Sequence, residues 1–202
     1  MRKFTQADTA GYKKAADLLR AGELVALPTD TVYGLAGLAN DPKAVANIFK
    51  VKNRPKHKAL SVVIFTPSHA ARLVKISPLA QSLMDAFWPG ALTLVLPALK
   101  GVPTLAVRCP DVAWTRAFLD IGFEGPLVLP SANISGRPAP VTAAQTAEAI
   151  GDKIPLILDG GICKARQAST IISVDGDRAR SLRAGAIPPE RFATFNIDMD
   201  VP

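Results

Sequence analysis

The feature that most constrains this chain is the alternation of short apolar runs with capped helical segments, punctuated by proline at nearly every junction. Residues 7–21 carry Ala15, Ala16, Leu18 and Leu19 on one stripe with Gly22 behind them, a pattern that predicts a helix stopped by glycine. Residues 24–27 then read as a buried strand. Asp41-Pro42 and Ser77-Pro78 each set an N-cap residue before a proline at the first helical position. They predict helices running to about Val51 and Phe87, the second ended by Trp88-Pro89-Gly90. Further strands are expected at 60–65, 92–96, 105–108, 127–129, 156–158 and 170–174. Pro97, Pro110, Pro126, Pro130 and Pro155 should mark strand ends, because proline lacks the N–H that a sheet interior needs. Strands interleaved with helices in this way imply an α/β sheet of mixed strand direction.

Half of the 202 residues are hydrophobic, enough to bury a sizeable core, and no repeat or long linker divides the chain. One domain is therefore expected over 1–191, followed by a segment, 192–202, whose lack of periodicity predicts a flexible tail. Lys and Arg number 24 against 17 Asp and Glu, a net charge of +7. That excess favours nucleotides, nucleic acid or other polyanions as partners, although solubility alone accounts for it equally well. Two distant cysteines, Cys109 and Cys163, and two histidines remote from both exclude a zinc or disulfide framework. Both cysteines read as small buried hydrophobes. Met1 to Leu19 lacks the apolar block of a signal peptide, and no run has membrane-spanning length, so a cytoplasmic protein is expected.

Three segments carry candidate chemistry. Pro28-Thr29-Asp30-Thr31-Val32-Tyr33-Gly34-Leu35 follows a strand and offers hydroxyls, a carboxylate and a phenol where open sheets bind ligands, though Thr and Asp are also ordinary turn residues. Lys50-Val51-Lys52-Asn53-Arg54-Pro55-Lys56-His57-Lys58 is either a solvated charge run or a positive rim for phosphate oxygens. It is no P-loop, having neither the glycines nor the Lys-Ser/Thr ending. Ser131-Ala132-Asn133-Ile134-Ser135-Gly136 can aim hydroxyl, amide and backbone groups at a ligand, or simply form an Asx turn. Ser169-Thr170, Ser181 to Gly185 and Arg108 add polar groups at strand ends. An arginine in an apolar strand must pair with a carboxylate or meet an anionic ligand.

The order of Pro28 to Leu35, Lys52-x-Arg54-Pro55, Ser131-Ala132-Asn133-x-Ser135-Gly136, Ser169-Thr170-Ile171-Ile172 and Leu182-Arg183-x-Gly185-Ala186-Ile187 resembles the YrdC family of threonylcarbamoyl-AMP synthases, from about residue 10 to 190. The resemblance implies a twisted, open mixed sheet flanked by helices around a concave basic cleft. It implies formation of L-threonylcarbamoyladenylate and pyrophosphate from L-threonine, bicarbonate and ATP. The product would serve threonylcarbamoyladenosine formation at tRNA position 37 through a downstream transferase complex. By position, Lys52 and Arg54 would be catalytic and, with Lys58, Thr104, Ser131, Asn133 and Arg183, would bind ATP. Thr31, Arg108 and Ser169 would bind threonine, and Mg²⁺ would arrive with ATP, not on protein ligands. Alanine at Lys52 or Arg54 is expected to abolish turnover and spare the fold. Val63 stands where many members carry histidine, and Ala139 replaces a common hydroxyl. The alternatives are an RNA- or tRNA-binding protein without catalysis and a carbamoyl-adenylate-forming relative.

Overall fold

Among the described residues, eleven strands in one mixed sheet hold the polar segments together. The computed structural model describes residues 4–195 and 197–199. Its strands are β1 (Phe4–Gln6), β2 (Val25–Leu27), β3 (Gly34–Leu38), β4 (Val62–Val63), β5 (Leu92–Pro97), β6 (Thr104–Arg108), β7 (Leu127–Val128), β8 (Leu156–Asp159), β9 (Thr170–Asp175), β10 (Arg178–Arg183) and β11 (Ile197–Asp198). The helices are α1 (Thr9–Arg20), α2 (Pro42–Lys52), α3 (Pro78–Phe87), α4 (Ala113–Asp120) and α5 (Ala143–Ile150). Across the sheet the order is β1-β8-β2-β3-β7-β4-β6-β5-β9-β10-β11. Parallel pairs such as β4–β6 and β5–β9 alternate with antiparallel ones such as β5–β6 and β9–β10.

The helices start where their caps dictate. Asp8 accepts from Gly11 N at 2.8 Å, Asp41 from Lys43 N at 2.8 Å and Ser77 from Ala80 N at 3.2 Å, with Pro42 and Pro78 leading α2 and α3. Gly22, at φ +80°, turns the chain out of α1. Two helices had not been foreseen. α5 carries a readable signal, since Thr142 Oγ1 accepts from Gln145 N and Gln145 Oε1 accepts from Val141 N, a variant of the capping box. α4 carries none, for Val112 at its N-cap makes no side-chain bond.

β3 also escaped the sequence pattern, because glycine argues against strands. A Cβ at Gly34 would stand 2.6 Å from Leu129, and one at Gly37 2.8 Å from Leu24, so close packing selects glycine in a fully paired strand. Of the expected strand 60–65 only Val62–Val63 forms ladder pairs. Pro97 ends β5, and the other four prolines flank strands, as their missing N–H requires.

Alternation along β2 sends Val25 and Leu27 to one face, under α1 and α4, and Leu24 and Ala26 to the other, under α2 and α5. Beyond β6 the pattern changes. Leu92, Leu94, Leu96, Ile172 and Val174 pack with α3 on one face, while Thr93, Val95, Ala106, Ile171 and Ser173 alternate onto the opposite face. The described part of 192–202 joins the α3 core: Phe192 is buried, its ring lies 4.8 Å from that of Phe87, and Ile197–Asp198 pairs with β10. Residue 196 and residues 200–202 of the expected flexible tail lie outside the described residues. Among those described, no helix is long and apolar enough to cross a membrane.

Both cysteines are buried, and burial pushes the Cys109 thiol up to about 12 and that of Cys163 upward too, which suits packing and not nucleophilic chemistry. Ser181, fully buried on β10 opposite Ile172, is different: its hydroxyl meets no hydrogen-bond partner among the described residues. Ser181→Ala removes an unsatisfied polar group and is expected to raise unfolding stability by about 1 kcal/mol, read by urea denaturation.

Candidate active site

Sheet register assembles the floor of a cleft from residues far apart in sequence. Val63 on β4 pairs with Arg108 on β6. The β5–β6 register, with Leu94 opposite Val107, brings Thr93 beside Arg108 one residue further along. Thr93 in turn pairs with Ile171 on β9, and Ile171 with Arg183 on β10. Val63, Arg108, Thr93, Ile171 and Arg183 therefore stand on one rung across five strands. At about 4.8 Å per strand, the two arginine positions lie roughly 14 Å apart. All five residues line a half-open cleft whose cavity volume is about 170 Å³, together with Thr31, Arg54, Ser131 and Ser169.

The wall above the floor comes from the β2–β3 connection. Thr29 Oγ1 accepts from Thr31 N at 3.1 Å and Val32 N at 3.2 Å, an ST turn, and donates to Val32 O at 2.6 Å. Its only proton is thus used, so in the 2.9 Å contact between the two hydroxyls Thr31 is the donor. Thr31 Oγ1 also accepts from Arg108 Nη1 at 2.8 Å. What Thr31 keeps for a ligand is acceptor capacity, which suits an N–H group.

Arg108 is 8% exposed and meets the carboxylate that a buried arginine requires. Its guanidinium forms an ion pair with Asp30, donates from Nε to Gly90 O at 2.9 Å and holds Thr31. Three of its five N–H groups are engaged and one on each Nη is left for a ligand oxygen. Arg183 donates to Ser169 O from Nε at 3.0 Å and Nη2 at 2.7 Å, and to Ser169 Oγ at 3.0 Å. Desolvation, then repulsion from Arg108 and Arg54, pushes its pKa down from the usual arginine value; an arginine nevertheless stays charged. Arg54 folds onto Lys58 O at 3.1 Å and Ala59 O at 2.7 Å. Among the described residues neither Arg54 nor Arg183 has a carboxylate within ion-pairing distance. The cleft thus carries two positive charges beyond the neutralised Arg108–Asp30 pair.

Lys52 does not form part of an exposed rim. It is 2% exposed, and its ammonium donates to Ser131 O, to Asn133 O at 2.7 Å and to Asn133 Oδ1 at 3.2 Å. Asn133 Oδ1 also accepts from Ser131 Oγ at 2.6 Å, and Nδ2 donates to Ile134 O and Arg137 O. The basic element and the Ser131–Asn133 element are thus one braced unit, in which Lys52 and Asn133 stand behind the Ser131 that faces the cleft. Burial, then the charge of Arg54, pushes the Lys52 pKa down to about 8. Lys58 is exposed on the loop, and Thr104 is exposed at the start of β6, on the same face as Arg108 and roughly 13 Å along the strand.

Thr93 and Ser61 are the polar cleft residues that sequence reasoning missed, whereas Thr29 belongs to the candidate segment 28–35. A threonine inside an apolar strand carries no polar pattern of its own, and only the register brings Thr93 beside Arg108. Gly185 was part of a motif without a physical reason, which the structure supplies: a Cβ there would lie 2.4 Å from the backbone of Ser169 and Thr170. It permits the close approach that fixes Ser169 in the cleft. Among the described residues no group of three His, Cys, Asp or Glu is suited to hold a metal ion.

An open mixed sheet flanked by helices, with a rung that presents guanidinium and hydroxyl groups to a cleft, defines the chain as an α/β protein. The family model Sua5/YciO/YrdC, described as "Telomere recombination", matches residues 17–185, and the chain belongs to that family. It is 40% identical over 187 residues to the threonylcarbamoyl-AMP synthase of Pyrococcus abyssi, covering 88% of this chain and 55% of that protein. Against the threonylcarbamoyl-AMP synthase of Bacillus subtilis it is 39% identical over 190 residues, 89% of this chain and 54% of that one. The crystal structure of P. abyssi Sua5 complexed with L-threonine matches with a TM-score of 0.86 at 36% identity, over 96% of this chain and 61% of that chain. The chain spans about half the length of the curated relatives it matches.

Proposed function

We propose that this chain makes L-threonylcarbamoyladenylate from L-threonine, bicarbonate and ATP, releasing pyrophosphate. The observation that carries the reading is the rung of Arg108, Thr93 and Arg183 in a cleft with surplus positive charge. The names of its relatives support it. A cavity of about 170 Å³ is below the roughly 300–1,000 Å³ of drug-sized sites, so it suits the amino acid, with the nucleotide extending from the mouth along the open face of β6.

Threonine's carboxylate would take the two spare N–H groups of Arg108, its amino group the acceptor face of Thr31, and Ser169 would lie beside it. The amine nitrogen attacks the carbon of bicarbonate and water leaves, giving an N-carboxylate. One of its oxygens then attacks the α-phosphorus of ATP, and pyrophosphate departs. No protein nucleophile is required. Catalysis is positioning and charge neutralisation by Arg54 and Arg183, with Lys58 and Thr104 along the nucleotide and Ser131 braced by Lys52 and Asn133. Asp30, the carboxylate at this wall, is already paired, so Mg²⁺ would be carried by the ATP phosphates, neutralising their charge. In this reading 1–191 is the catalytic domain, acting in the cytoplasm, and the product passes to a tRNA-modifying transferase complex.

The test is pyrophosphate release from ATP and bicarbonate with threonine, with serine and with no amino acid. Release that depends on threonine is expected; release indifferent to threonine would overturn the reading.

A further inference from the structure

We propose that Thr93 determines side-chain specificity in this cleft: with Ser169 it reads the β-hydroxyl of the amino acid, while Ile171, its neighbour on the rung, receives the methyl group. The inference rests on the reading of threonine as substrate and goes beyond it by assigning the recognition to a residue outside the sequence motifs.

Thr93 is 3% exposed and Ser169 7% exposed, and their oxygens lie 2.8 Å apart at the cleft surface. Ser169 Oγ also accepts from Arg183 Nη2 at 3.0 Å. A hydroxyl has one proton and two lone pairs, so the pair retains hydrogen-bonding capacity that no described residue uses. At two hydroxyls this buried, unused capacity costs free energy when an alkyl group covers it and is recovered when a hydroxyl does. On the rung Thr93 stands between Arg108 and the alkyl side chain of Ile171. Val63 lies beyond Arg108 and, being alkyl, can neither donate nor accept, so the hydroxyls on this rung are concentrated on the Thr93 side.

The spacing fits one amino acid. Thr93 is one strand, about 4.8 Å, from Arg108, whose spare N–H groups face the same cleft. A carboxylate on Arg108 with its amino group at Thr31 leaves a short side chain directed across the rung. A hydroxyl then meets the Thr93–Ser169 pair and a methyl meets alkyl surface. Serine would forfeit the methyl contact, valine the hydrogen bond, and L-allo-threonine would exchange the two.

Thr93→Val keeps the shape and removes the hydroxyl. In the pyrophosphate-release assay, kcat/KM for threonine should fall at least about tenfold while that for valine holds or rises, so the threonine-to-valine ratio falls at least about tenfold. Thr93→Ser should retain the wild-type ratio, which a loss of folding in either variant would not mimic, since the ratio is read within one protein. The wild-type enzyme should itself use L-allo-threonine at least about tenfold less well than L-threonine. A wild-type ratio in Thr93→Val, or equal use of the two diastereomers by the unaltered protein, overturns the assignment of Thr93 with the synthase reading intact. Turnover by the unaltered protein that ignores the amino acid altogether overturns both.

Discussion

Lys52→Met is expected to lower stability by about 2–4 kcal/mol and to cut kcat/KM on the order of 100-fold, two losses that Arg54→Ala should separate. The methionine chain fills the space but leaves Asn133 O without a donor in a buried setting, Ser131 O with Asn133 N alone and Asn133 Oδ1 with Ser131 Oγ alone. Each orphaned acceptor costs about 1–3 kcal/mol, reduced where the loop relaxes toward water. Relaxation is itself the cause of the activity loss, because Ser131 then moves relative to the rung. Arg54 bonds only to carbonyls of its own exposed loop, so Arg54→Ala should change stability by less than about 0.5 kcal/mol and raise the KM for ATP. Titration gives a second readout. Lys52 is charged below about 8 in the free protein, and ATP favours the charged form, so ATP affinity should fall as pH rises through about 8. In Lys52→Met that limb should vanish. Full stability in Lys52→Met with activity lost would show a direct phosphate contact and refute the brace.

The brace thus predicts that alanine spares the fold at Arg54 but not at Lys52, against the sequence-based expectation that it spares the fold at both. A Lys-rich run gives no hint of which ammonium turns inward. Lys52 is the last residue of α2, and Asn53 behind it adopts φ 48°, which ends the helix and sends the following residues outward. Segments 50–58 and 131–136, separate in sequence, are joined through that one ammonium. Legibility followed the local code. Asp41-Pro42 and Ser77-Pro78 announced α2 and α3 because capping is decided within four residues. Val112 offered no cap, and α4 went unseen. Gly34 and Gly37 gave no strand signal because their reason is a neighbour, Leu129 or Leu24, brought by pairing across the sheet. The site divides the same way. Thr31, Arg108, Ser131, Ser169 and Arg183 sit in recognisable strings, whereas Thr93 becomes part of the site only through the register of β5 against β6 and β9.

The same register makes Arg108 answer to two masters, and a pair of variants can tell them apart. Arg108→Met strips the partner from Asp30, whose side chain is only 12% exposed, and leaves a carboxylate uncompensated in a nearly dry wall. The expected cost is about 3–5 kcal/mol, the range for breaking a buried ion pair from one side. Asp30→Asn in the same chain removes the stranded charge, so the double variant should regain most of that stability in urea denaturation. Activity should not return with it. The two N–H groups of Arg108 that no described residue uses are absent from both variants, and threonine binding by calorimetry should be lost in each. Asp30→Asn alone supplies the contrast: Arg108 keeps Gly90 O and Thr31 Oγ1, and freed of its counter-charge it should hold a carboxylate at least as strongly. A double variant that folds and binds threonine like the unaltered protein would reduce Arg108 to a structural residue. The carboxylate would then have to be sought at Arg183, roughly 14 Å along the rung, with the ligand reversed across Thr93.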